Sequence, residues 1–124
     1  MTMRPFGNVT PTQMHMLQLA GYGMDYLARC IRLGRSDEER LRNMREGRER
    51  LRQACGVDFG YALAAWHEYL MAGDDDSGYR HPYASSGVAS AIRRAINNKR
   101  RIQLAEQLEQ EQLPTLQELG IDTL

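Results

Sequence analysis

Between Phe59 and Tyr83 the chain gathers six of its nine aromatic residues, two of its three histidines and three consecutive aspartates. Three kinds of chemistry could use such a set, and residue spacing tests each. Calcium in an EF-hand loop needs acids at positions 1, 3 and 5, Gly at 6 and Glu at 12. Setting Gly78 at position 6 puts Gly73 at 1, Ser77 at 5 and Ala84 at 12, so the run Asp74, Asp75 and Asp76 does not fit the register. A zinc-protease helix needs a second His four residues after the first. Met71 stands four after His67. No Ser or Cys lies in a nucleophile context, and no Gly-rich phosphate loop occurs. No catalytic residue, metal or cofactor is therefore expected, and the protein is read as a non-enzyme.

What remains is recognition. Tyr, Trp and Arg bring large contact area at low entropic cost and dominate interface hot spots. A loop of about ten residues in a small domain is often functional. The segment from Asp74 to Tyr83 is such a loop, with His67 and Tyr69 on the helix before it. The predicted partner-binding set is His67, Tyr69, Asp74, Asp75, Asp76, Tyr79, Arg80, His81 and Tyr83, with Asp74, Asp75, Asp76, Tyr79 and Arg80 exposed. Three aspartates would steer a basic partner. An adaptor fits this pattern, as does an inhibitor or immunity-type neutraliser. Phe59 and Trp66 are read as core.

A basic cluster offers a second reading. Arg93, Arg94, Asn97, Arg100 and Arg101 fall on neighbouring strips of one helix, and Arg and Asn can read base edges or phosphates. Against nucleic acid stands the overall charge: 16 basic and 16 acidic residues leave a net charge of +0. Autonomous nucleic-acid binders usually carry a basic surplus. Residues 37–52 hold acids of their own, and the periodicity pairs Glu46 with Arg50 and Glu49 with Arg45. Nucleic-acid binding or nucleoprotein assembly is thus the alternative.

These groups need a scaffold, and the hydrophobic period is helical nearly throughout. At 124 residues, 42% apolar and 26% charged, the chain fits one domain with a real core. The reading is all-α: a compact up-and-down four-helix bundle over 10–113. An irregular arm (1–9) precedes it, and a short helical tail (114–124) follows Pro114. The first helix opens on a Thr10–Gln13 capping box with Pro11 at its first position, and runs to residue 33. The second opens at Ser36 and ends at Gly56. Asp58 caps a third, which stops at Gly73. A fourth runs from Ser85 or Ser86 with Val88, Ile92, Ala95, Ile96, Ile102, Ala105 and Leu108 inward. Cys30 and Cys55 would then stand about 20 Å apart on neighbouring helices, too far for a disulfide. Reduced thiols, no apolar leader and no run of about 18 apolar residues predict a cytoplasmic protein off the membrane.

Overall fold

The computed structural model describes residues 9–27, 29–73, 78–79 and 85–112. Among these residues five helices and one β-hairpin follow in order: α1 (Pro11–Leu19), β1 (Tyr22–Asp25), β2 (Cys30–Leu33), α2 (Asp37–Cys55), α3 (Leu63–Ala72), α4 (Ser85–Ile96) and α5 (Lys99–Gln112). The protein is mostly helical, as expected, but it is not a chain of four helices. The hairpin replaces the second half of the predicted first helix. The predicted fourth helix is two.

α1 starts as its sequence dictates. Thr10 Oγ1 accepts from the Gln13 amide, and Gln13 Oε1 accepts from the Thr10 amide at 2.9 Å. It stops at Leu19 because Gly21 takes a left-handed φ of +104°, which a helix interior forbids. Tyr22 then pairs with Leu33, and Met24 with Ile31, in antiparallel register. Gly23 lets this strand lie against α2: a Cβ there would come within 2.7 Å of the Asn43 amide group. Asn43 Nδ2 donates to the Gly21 carbonyl at 3.2 Å, and the Gly34 amide donates to the same oxygen at 3.0 Å. The hairpin is tied to α2 at its open end.

α2 is capped by Ser36, whose hydroxyl accepts from the Glu39 amide, with Asp37, Glu38 and Glu39 favouring the helix dipole. Gly56 ends it in the left-handed region. Met44, Gly47 and Leu51 form its inner face, and α1 packs more extensively on it than any other element pair does. α3 starts four residues later than the predicted Asp58 cap. Asp58 instead accepts from the Gly60 amide at 2.8 Å and pairs with both Arg48 Nε and Nη2. That turn also holds Trp66, whose indole N–H donates to the Gly60 carbonyl at 2.9 Å.

The break between α4 and α5 falls at Asn97–Asn98. Asn98 Oδ1 accepts from the Arg101 amide at 2.9 Å, so Asn98 is the cap of a new helix. The break changes the phase of the inner face. α4 buries Val88, Ala91, Ile92 and Ala95, whereas α5 buries Arg101, Leu104, Ala105 and Leu108 and leaves Ile102 exposed. One hydrophobic cluster joins the buried apolar side chains of α4 and α5 to Met16, Leu17, Leu19, Ile31, Met44, Leu51 and Trp66. Among the described residues no helix is long and apolar enough to cross a membrane.

Candidate functional site

The predicted recognition residues divide into those the structure places and those outside the described residues. Asp74, Asp75, Asp76, Arg80, His81 and Tyr83 belong to the second group. Tyr79 corrects the expectation of exposure, since only 3% of its surface is accessible. The physical reason lies in α1. Thr10 Oγ1 donates to the Gly78 carbonyl at 3.0 Å, and Gln13 Nε2 donates to the Tyr79 carbonyl at 3.1 Å. The same two residues that cap α1 anchor residues 78–79.

The Tyr79 hydroxyl and His67 Nδ1 share a hydrogen bond of 2.7 Å, with the rings edge to face. Burial pushes the Tyr79 phenol far above its usual range. Burial also lowers the His67 imidazole; the nearby Arg93 charge adds to this and Glu68 opposes it. Both groups are neutral at pH 7, so the pair is a polar link between α3 and residues 78–79. Tyr69 takes a different part. Its ring lies 5.3 Å from Phe59 and 6.4 Å from Trp66, and Phe59 stands edge-on to Trp66 at 5.0 Å. Trp66 is fully buried, as expected of core, whereas Phe59 and Tyr69 each keep more than a third of their surface exposed. Met71 is exposed on the same helix.

The basic residues do not form one face. Arg93 and Arg94 are exposed on α4, with Asn97 Nδ2 donating to the Arg93 carbonyl. Arg100 reaches α2, where both Asp37 carboxylate oxygens accept from it. Arg101 is only 8% exposed, and its Nη2 donates to the Leu19 carbonyl at 2.9 Å, closing the C-terminal end of α1. Glu46 pairs with Arg50 as its spacing predicts, but Glu49 takes Arg52 and Arg45 takes Glu111 of α5. Cys30 and Cys55 are free thiols, both half-buried. No group of three or more His, Cys, Asp or Glu among the described residues could hold a metal.

Sequence reasoning missed the hairpin tip. Tyr26 is 85% exposed and Leu27 99%. Asp25 braces this turn: its Oδ1 accepts from the Leu27 amide at 3.1 Å, and its Oδ2 accepts from Arg32 Nε at 2.7 Å. Arg35 adds a second cation at 3.5 Å. Tyr26 also borders a groove of about 680 Å³ whose walls include Met14, Met24 and Ile31. The signal in the sequence was Gly21-x-Gly23 followed by Asp25, a poor helix interior and a good turn opener. Compared with protein-family models, curated proteins and solved structures, the chain matches none of them.

Proposed function

We propose that the protein acts by binding another protein, as an adaptor, inhibitor or immunity-type neutraliser, with no catalytic step of its own. The observation that carries this reading is the Tyr26–Leu27 tip, two large apolar side chains held in solvent on a braced turn. An apolar side chain gains about 25 cal/mol per Å² when covered, and a pre-ordered tip has little conformational entropy left to lose. The Phe59–Tyr69 edge of the α3 ring cluster is a second surface of the same kind, and Tyr69 belongs to the recognition set drawn from the sequence. A partner with basic groups would suit the acidic run Asp74–Asp76. The nucleic-acid alternative has less support, because Asp37 occupies Arg100 and Arg101 faces the core.

A photo-crosslinking phenylalanine derivative placed at position 27 or 69 of the full chain tests the reading. The expected result is one discrete adduct in native extract from either position, absent from the exposed control position Gln53. Adding Leu27→Asp to the position-69 probe should abolish the adduct. Its effect on stability should stay within about 0.5 kcal/mol, because so exposed a side chain has no packing to lose. Equal labelling from all positions, or none from 27 and 69, would refute protein recognition by these surfaces.

A further inference from the structure

A second cavity, of about 180 Å³, lies where α1, the hairpin, α2, α4 and α5 meet. Its walls are mostly apolar: Ala20, Tyr22, Leu33, Met44, Ala95 and Leu104. Its polar groups are Arg40, Arg94, Arg101 and Asn98, and among the described residues no carboxylate lines it. Three cations around an apolar space, with no anion among them, is an unusual arrangement. Like charges raise one another's cost, and core-facing arginines normally take an acid.

The state of each guanidinium sharpens the point. Arg101 is more than nine-tenths buried. Its Nη2 is spent on the Leu19 carbonyl, while its Nε is buried without a hydrogen-bond partner among the described residues. Burial pulls its ionisation down to about 10, with Glu109 opposing. Arg40 is tethered by Nε to the Gly34 carbonyl at 2.9 Å, and its charge is felt by the Asp37 carboxylate, which lies outside the cavity lining. Arg94 stands at the exposed edge without an ion pair among the described residues. Asn98 caps α5 there, so the positive end of that helix dipole adds to the field.

We propose that this cavity is a binding site for a small carboxylate with an apolar body, its carboxylate among Arg40, Arg94 and Arg101. The size fits: an apolar cavity of about 150 Å³ accepts a benzene ring, so this one holds a ring or a short alkyl chain. Planar guanidinium matches a carboxylate edge in bidentate fashion. The six apolar walls favour such a ligand over inorganic phosphate, which brings more charge and nothing to pack against them.

The test is a chemical-shift titration of the ¹⁵N-labelled full chain with benzoate and hexanoate. Benzyl alcohol, 1-hexanol and inorganic phosphate serve as comparisons. At least one carboxylate should shift the amides of Tyr22, Leu33, Ala95 and Arg101 saturably, and bind at least about tenfold more tightly than its matching alcohol. Arg94→Gln, an exposed change that leaves the core intact, should weaken that binding at least about threefold. Arg101→Met should remove it while keeping native amide dispersion; if that variant does not fold, Arg94→Gln alone decides. Equal affinity for acid and alcohol would overturn the proposal. So would saturable binding of phosphate alone, or no saturable shift from either carboxylate up to about 20 mM. Wild-type affinity in Arg94→Gln would overturn it as well.

Discussion

A Cβ placed on Gly47 would sit 2.4 Å from the Leu19 amide nitrogen and 2.7 Å from the His15 carbonyl oxygen. Both are backbone atoms of α1, so no side chain can swing aside to make room. Gly47→Ala therefore forces α1 away from α2. It gains about 1 kcal/mol of helix propensity and loses more to overpacking, for a net loss of roughly 2 kcal/mol or more. A urea midpoint that falls at unchanged slope would show it; an unchanged or higher midpoint would mean the crossing is looser than these distances. Arg101 makes the opposite kind of case. A buried cation with one carbonyl partner is a cost to the fold, and Arg101→Met exchanges that cost for an unfilled carbonyl at Leu19. The two effects oppose each other, so stability should stay within about 1 kcal/mol of wild type in a thermal melt. A buried cation that adds nothing to stability is what a ligand-binding role would call for.

At the scale of elements, local signals were readable and long-range ones were not. The Thr10–Gln13 box, the Ser36 cap and the Gly56 stop each need only a few neighbouring residues, and all three occur where the sequence placed them. The hairpin was hidden because Leu17, Gly21, Met24 and Ile31 keep a helical spacing, while Tyr22/Met24 and Ile31/Leu33 keep an alternating one. Pairing across the turn and the Asn43 contact to Gly21 decide between them, and neither is local. The α4–α5 break was hidden for the same reason, since a continuous helix would bury Ile102 and the folded chain buries Leu104. Of the candidate site, the aromatic content of α3 was legible, whereas the inward turn of Arg101 was not, because arginine reads as surface. Asn98→Ala tests the break. Losing the Oδ1 acceptor should cost about 1 kcal/mol and speed hydrogen exchange at the Arg101 amide ahead of amides deep in α4. Unchanged exchange at Arg101 would show that packing alone, without the cap, sets the start of α5.

For the whole molecule, protonation links His15 and His67 to the ion pairs. His15 is lowered from the ordinary 6.5 by burial and then by Arg50, and His67 by burial and then by Arg93. An unfolded chain takes protons on these rings near pH 6.5, whereas the native protein resists until lower pH. In that interval the unfolded state binds more protons, so stability falls as pH falls. Acidic groups act further down. Asp58, Asp37, Glu49 and Glu111 are held below their ordinary 3.8 or 4.5 by hydrogen bonds from Arg48, Arg100, Arg52 and Arg45 respectively. Their contribution is present at neutral pH and is lost as pH drops through those lowered values. Stability should therefore decline in two steps, one starting near pH 6.5 and one below about 4.5. Salt separates them by mechanism. About 1 M salt screens the exposed ion pairs and flattens the lower step, but leaves the upper one, because burial rather than charge contact is its first cause. Replacing both rings, His15→Gln with His67→Gln, should shrink the upper step and keep the lower. An upper step of full size in that double variant would place the titrating group elsewhere and remove the His67–Tyr79 link from the account.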